Sequence, residues 1–381
     1  MKNLFIPLLI AALLLSCNQS SEKSPETMFE NQVQEYFKQF PYQDTYNYML
    51  KYTGGDATQL NKIFLDSKPE LVKAGEDRVV RMNNDTYYTG GFVYLVEGPV
   101  TLSASFYDEN RFYSFQLMDD RNTNFRNIIR PKGEYYLYHG EKPDNVEGEL
   151  IEAPSNIVAV IIRVEVKDKD NSIDVEAAKK VFNGINISGP DITEFPRLDL
   201  LSSFDEAVEK RANEMMDSVF ANVPFKYLCA SPDQVPNEVS YLNLAAGTKG
   251  GWGGPVVSHS AYETIFTDDN GEVLEGSKGT YSVTTTEPPV DAFWSVTVYD
   301  TERGGFLHPN AQNKYHINNT SAVKNEDGTF TFLFKIMCEK GDLNCLEVPT
   351  GQFDLVTRYY LPREEIRSGE WTYPKLELIQ K

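Results

Sequence analysis

The apolar positions change their period several times along the chain, and the changes mark segments of different structure. Residues 4–15 are apolar with little interruption, behind a single Lys2. Residues 18–27 are rich in Ser, Glu, Lys and Gln without apolar periodicity, which predicts a flexible tether. Residues 29–40 and 42–52 space their apolar side chains as helices do; Pro41 between them reads as a break and Gly54-Gly55 as a stop. From residue 78 to 166 the pattern becomes short runs of Val, Tyr, Phe and Ile separated by Asn-Asp, Gly-Pro, Asp-Glu-Asn and Pro-Lys-Gly clusters. These predict antiparallel strands at 93–96, 100–106, 112–117, 135–138 and 157–166.

Residues 174–182 read as a short helix, and 204–220 as a longer one with Phe204, Val208, Met215 and Val219 on one face. Ser203 and Glu206 have capping-box spacing at its start. A Gly-rich stretch, Gly247 to Gly254 around Trp252, reads as a ligand cradle or a mobile lid. Strand-like runs return from Ala261, with Asn270-Gly271 and Asp327-Gly328 expected as hairpin turns between 262–266 and Val273, and between 315–323 and 330–336. The expected organisation is therefore a leader (1–16), a tether (17–27), a helical lead-in with a β domain (28–200), a helical, Gly-rich connector (201–260) and a second β domain (261–381). The fold class is mainly β with helical insertions, as two β-sandwich or jelly-roll-like domains.

The N-terminus carries an address. Lys2, the apolar run and Leu14-Leu15-Ser16-Cys17 have the layout of an export signal cut before Cys17 and resemble the lipobox of bacterial lipoproteins. The resemblance implies acylation of Cys17, a membrane anchor and a place in the cell envelope; Asn18 after the cysteine points to the outer membrane. About a dozen apolar residues fall short of the roughly 20 that span a bilayer as a helix.

Composition narrows the partners. Thirty-six basic against 56 acidic side chains give a net charge of −20, without the clustered Lys and Arg that nucleic-acid binding needs. Twenty-two Tyr and 22 Phe suit half-buried sheet faces. Besides Cys17 there are Cys229, Cys338 and Cys345; the last two bracket a short loop turned by Gly341, which either closes as a local disulfide or holds two thiols. His139, His259, His308 and His316 are the only imidazoles, and none has metal-ligand spacing, so no metal or cofactor is expected.

Several strings resemble a pair of known families. Arg81 to Tyr88, Gly98-Pro99-Val100, Arg111 to Gln116 and Met118-Asp119 resemble the N-terminal domain of unknown function 1254. Ala261-Tyr262, Asp269-Asn270-Gly271, Leu274, Gly276, Ala292 to Asp300, Gly351-Gln352-Phe353 and Arg358 to Pro362 resemble the partner domain 1214. The resemblance covers most of residues 40–380 and implies two β-sandwich or jelly-roll parts, often on exported bacterial proteins, with no established reaction. One departure stands out: the family's Asn-Trp-Leu-Pro-Ala-Pro is Asn344-Cys345-Leu346-Glu347-Val348-Pro349 here.

Candidate chemistry gathers in the first of these strings. Asn84, Asp85, Thr86 and Tyr88 combine amide, carboxylate, hydroxyl and ring, which either meet a polar or glycan-like ligand or build the turn that starts a sheet. Arg111, Asp119 and Arg358 either pair internally or clamp a carboxylate. Alternation along 293–299 sends Trp294, Val296 and Val298 to one face and Phe293, Ser295, Thr297 and Tyr299 to the other, which places Trp294 in the core. Ser258-His259-Ser260 lacks a nucleophile elbow, and Asp268 to Gly271 lacks the alternating ligands of a calcium loop. The expectation is a small-ligand-binding envelope lipoprotein; the alternatives are a hydrolase with Asp85 or Asp119 and a His as acid and base, or an assembly protein.

Overall fold

The computed structural model describes residues 24–64, 68–76, 80–198 and 203–380; the leader, Cys17 and most of the expected tether lie outside them. Helix α1 (Pro25–Thr53) begins inside the segment expected as tether, because Ser24 accepts from Thr27 N and Pro25 occupies the first turn. It also runs through Pro41 instead of breaking there. Val33, Phe37, Pro41, Thr45, Met49 and Thr53 recur every fourth residue and are all buried, Val33 and Phe37 in one cluster and Met49 in another. Burying apolar side chains at about 1.5–3 kcal/mol each offsets the roughly 3 kcal/mol cost of one internal proline.

The first half is a sandwich. Strands β1 (Thr86–Tyr94), β2 (Val100–Ala104), β3 (Tyr113–Met118), β4 (Asn124–Ile129), β5 (Gly133–Tyr138), β6 (Glu149–Glu152) and β7 (Ile157–Glu165), then α2 (Ser172–Asn183) and β8 (Ile185–Ser188), make two sheets of order β1-β7-β3-β4 and β6-β5-β2-β8. Between them lies a core of Val93, Val100, Leu102, Phe115, Leu137, Val160, Ile162 and their neighbours. Strands β4, β6 and β8 were not expected from the sequence: Asn124-Phe125-Arg126-Asn127 and Glu149-Leu150 are too polar or too short to show a period.

Helices α3 (Glu206–Asn222) and α4 (Tyr241–Gly251) follow. The expected connector is thus part of a helical layer with α1, sharing Val33, Phe37, Val208, Ala212, Met216, Ala245 and Ala246. The capping box at Ser203 does not form; Asp205 is the N-cap and makes no side-chain cap bond. Nor is the Gly-rich stretch an open cradle. Most of it is α4, and a Cβ at Gly247 would stand 2.5 Å from the Leu228 carbonyl.

The second half is another sandwich, built from β9 (Ser260–Ile265), β10 (Thr280–Thr285), β11 (Trp294–Asp300), β12 (Phe306–Leu307), β13 (His316–Asn318), β14 (Phe330–Lys335), β15 (Cys345–Glu347), β16 (Phe353–Tyr360), the short helix α5 (Glu364–Ser368) and β17 (Glu377–Gln380). Its sheets run β15-β14-β10-β17 and β12-β11-β16-β9, with β13 also on β11. Trp294, Val296 and Val298 face the core, as alternation predicts. The two expected hairpins do not form. Strand β9 pairs with β16 while Asn270-Gly271 turns only the bridge Thr267–Val273, and β13 and β14 belong to different sheets. Among the described residues no helix is long and apolar enough to cross a membrane.

Candidate functional site

Each sandwich has one sheet whose outer face is polar, and the two polar faces meet. In the first half, pairing puts Tyr88 beside Arg163 and Arg163 beside Ser114, with Gln116 next on β3 and Asn127 opposite it on β4. In the second, Ser295 lies beside Arg358 and Arg358 beside Tyr262, flanked by Thr297, Tyr299 and Tyr360. Alternation forces this arrangement, since the intervening residues are those that fill the two cores. At one end the join is apolar, with Phe112 of the first half against Phe293 and Tyr360, themselves stacked at 4.0 Å.

An acidic arm crosses the join. Asn83 to Asp85 form a side-chain turn, in which Asn83 Oδ1 accepts from Asp85 N (2.7 Å), and all three residues are buried. Asp85 accepts from the hydroxyls of Ser295 and Tyr360, both in the second half. Asn83 donates to Tyr360 and to Tyr88 Oη (3.1 Å); Asn84 donates to the Val72 carbonyl and accepts from His316 Nδ1 (3.1 Å). Nearby, Arg81 grips Asp354 with two bonds of 3.0 and 2.8 Å. Of the two readings of this string, the turn is realised, with most of its hydrogen-bonding capacity spent inside the protein; Thr86 Oγ1 is buried without a partner.

Two guanidiniums lie on the other side, and neither makes an ion pair among the described residues. Arg358 donates to Thr297 Oγ1 (3.1 Å), Arg81 O (2.8 Å) and Tyr299 Oη (2.8 Å), and its charge interacts with Asp85. Arg163, 3% exposed, donates Nε to Tyr88 Oη (3.1 Å) and Nη1 to Gln116 Oε1. Tyr88, Tyr262, Tyr360 and His259 act on its charge, and among the described residues no carboxylate lies within ion-pair distance of it. Several buried polar atoms of this cluster have no partner: Tyr262 Oη, His259 Nε2, Ser114 Oγ and Arg358 Nε. Arg358 thus has the Asp85 charge near it and Arg163 has no ion-pair partner among the described residues, in a desolvated interior where an unpaired charge costs several kcal/mol.

Two histidines, His259 and His316, are held neutral by burial. Burial, reinforced by Arg163, pushes His259 down to about 3, and burial pushes His316 down to about 4 against the pull of Asp85. His259 Nδ1 meets only its neighbour Ser260 Oγ (3.2 Å), and His139 Nδ1 meets the Ala153 carbonyl (2.7 Å). His308 comes within 3.9 Å of the Asp300 carboxylate, outside the cluster. Among the described residues no group of three or more His, Cys, Asp or Glu could hold a metal ion.

The remaining sequence candidates go elsewhere. Arg111 pairs with Asp174 (2.5 Å) and Asp108 (3.3 Å) and donates to Glu165 O, tying β3 to α2 inside the first half. Asp119 caps the turn after β3, accepting from Thr123 N (2.9 Å), Thr123 Oγ1 (2.6 Å) and Arg121 N (3.0 Å); burial nonetheless raises its carboxyl. Cys338 and Cys345 form a disulfide with Cα atoms 6.0 Å apart. So Asn84, Asp85, Tyr88 and Arg358 come together, while Arg111 and Asp119 do not join them. Arg163, Ser114, Tyr262 and His259 complete the cluster. Arg163 had a signal: it is the one charge inside the run Ile157 to Val164, and a charge within a strand buried on both faces needs a partner or a purpose.

Comparison with known proteins follows the same two halves. Residues 65–189 match the model of a protein of unknown function (DUF1254), and residues 259–364 match that of another (DUF1214). No curated protein matches. The crystal structure of the VPA0106 protein from Vibrio parahaemolyticus superposes with a TM-score of 0.76 at 20% identity, over 92% of this chain and all (100%) of that one. An uncharacterized protein from Burkholderia cenocepacia gives 0.50 at 12% identity over 95% and 92%. At these identities the likeness is one of fold.

Proposed function

We propose that this chain, a DUF1254 region followed by a DUF1214 region, binds a small carboxylate-bearing polar molecule between its two halves, as a lipoprotein anchored through Cys17 in the cell envelope. The observation that carries the reading is Arg163: a buried guanidinium without a carboxylate, next to the unpartnered Ser114 Oγ, Tyr262 Oη and His259 Nε2. A guanidinium fork accepts a carboxylate through two parallel bonds, and neutral hydroxyls beside it complete the shell. The saturated Asp85 arm keeps the second guanidinium, Arg358, in place and joins the halves. Access to so enclosed a cluster comes from parting the polar join, which has less apolar contact to lose than either core. A hydrolytic reading lacks the required partner, since no histidine of the cluster bonds a carboxylate.

The test is a thermal-shift panel of hydroxy acids and uronates with their neutral sugar counterparts. A ligand at 100 times its Kd adds about 2.7 kcal/mol to the folded state. Wild type responds to an acid and Arg163→Met does not; if no acid raises the wild-type Tm, or the variant responds equally, the proposal is withdrawn. For the anchor, mass spectrometry of the mature protein should find a diacylglyceryl-modified Cys17 at its N-terminus, and an unmodified chain retaining residues 1–16 would remove that part.

A further inference from the structure

The sheet β1-β7-β3-β4 has two edges, and the chain treats them differently. Along β1, residues 61–64 act as a surrogate strand: Asn61 N donates to Phe92 O and Phe64 N to Gly90 O, both at 2.9 Å. Along β4 the corresponding cover starts and stops. Asn124 N donates to Ala230 O (2.8 Å), after which the covering chain turns away into the single 3₁₀ turn Pro232–Gln234.

The register shows which backbone groups this leaves. Arg130 N bonds Tyr113 O at 2.8 Å, so these two residues form a bonded pair, and by alternation so do Phe115 with Ile128 and Leu117 with Arg126. The groups between them point away from β3: Phe125 C=O, Asn127 N–H and C=O, and Ile129 N–H. None of these four has a hydrogen-bond partner among the described residues. A groove of about 790 Å³ opens beside them and meets all of residues 124–127. Neighbouring side chains on a strand leave from opposite faces, so a groove that meets four in a row lies against the strand's edge.

The far wall of the groove is Ser231, Gln234, Val256, Val257, Ser258 and Arg367. That wall keeps out the sheet edge of a second copy, whose own β4 is recessed in the same way, and leaves room for one extended chain. The outward donors and acceptors of β4 match those of a strand laid beside it. Charge sets one further feature. Among the charged lining residues, Arg126 bonds Glu149 at 2.5 Å and Arg367 bonds Glu364 at 2.7 Å, whereas the exposed Glu238 makes no ion pair among the described residues and accepts only from Gln234 Nε2 (3.0 Å). The rim thus carries an unneutralised negative charge, on a chain of net charge −20.

We infer that this groove receives an extended peptide segment with a basic residue, added as a further strand to β4. The site belongs to the edge of the sheet, whereas Arg163 lies on its face.

The probes are two capped pentapeptides, Lys-Val-Thr-Val-Thr and Thr-Val-Thr-Val-Lys, labelled with fluorescein and followed by polarisation as the full chain is added. At least one binds, and N-methylation of its three central amides weakens it at least tenfold through loss of backbone hydrogen bonds. Exchanging its Lys for Glu weakens binding about fivefold, and Glu238→Lys restores it. Ser258→Trp fills the groove from an exposed position and abolishes binding, with the circular dichroism unchanged. No binding of either peptide, equal binding of the N-methylated form, or equal binding by Ser258→Trp overturns the inference; a Glu peptide that binds as well as its Lys parent overturns the basic residue.

Discussion

Asp85→Asn is the sharpest probe of how the halves are joined. The substitution keeps the shape of a fully buried side chain and removes the carboxylate whose charge interacts with the buried Arg358 guanidinium and which accepts from Ser295 and Tyr360 across the join. Breaking a buried charge pair on one side costs about 3–5 kcal/mol, because the remaining charge stays desolvated. Arg358 already holds three hydrogen bonds and Asn can still accept one, so the lower end, about 3 kcal/mol, is expected. Ser295→Ala removes only one bond to the carboxylate and should cost about 1.5–2 kcal/mol. Urea unfolding at pH 7.5, followed by tryptophan fluorescence, measures both. Adding Arg358→Met to Asp85→Asn removes the orphaned charge as well, so the double variant should lose less than the sum of the singles by about 1–3 kcal/mol. An Asp85→Asn protein within about 0.5 kcal/mol of wild type, or strict additivity with Arg358→Met, would refute the argument.

Other consequences are open to measurement. Glu165, buried between β3 and α2, has its carboxyl pushed up to about 7 mainly by burial, so the folded state holds a proton that the unfolded state releases near its ordinary value. Stability therefore falls as pH rises from about 4.5 to 7, by roughly 3 kcal/mol, and Glu165→Gln should flatten that slope in denaturation series from pH 5 to 8. His316 has the opposite sense: held neutral down to about 4, it contributes stability above the ordinary imidazole value that is lost as pH falls below it. The loss reaches about 2 kcal/mol by pH 5, and His316→Asn should shrink the difference between pH 7 and pH 5 by that amount. The Cys338–Cys345 bridge closes a loop with a sequence separation of 7, so the double Ser variant should unfold about 2 kcal/mol sooner in urea, and an unchanged midpoint would mean that the loop is held by Lys335–Asp342 (2.6 Å) without it.

Legibility differed from element to element for physical reasons. The alternation at 293–299 was enough to place Trp294 inside, because a strand with one core-facing side has no other way to bury a ring. Pro41 misled because helix stop signals describe the local backbone cost, whereas a stripe of buried side chains every fourth residue decides the outcome. The Asn-Gly and Asp-Gly turns are real turns, yet strand partners were chosen by which faces could be buried, so neither turn joins neighbours in one sheet. Arg111 and Asp119 looked alike as polar residues at strand ends; only the positions of α2 and Thr123 show that both are satisfied locally.

The sequence by itself determined the period of each segment, hence the β-rich class, the two sandwiches in order, the acidic surface and the polar strings that resemble domains 1254 and 1214. Those are local properties, set by side-chain alternation and composition. The tertiary structure alone decided that the polar faces of two sheets turn toward each other and trap Asp85, Arg163 and Arg358 from distant parts of the chain. No local pattern encodes which two charges will share a dry space; that follows from packing two cores whose remaining faces must be buried somewhere, and from the high cost of burying a charge without a partner.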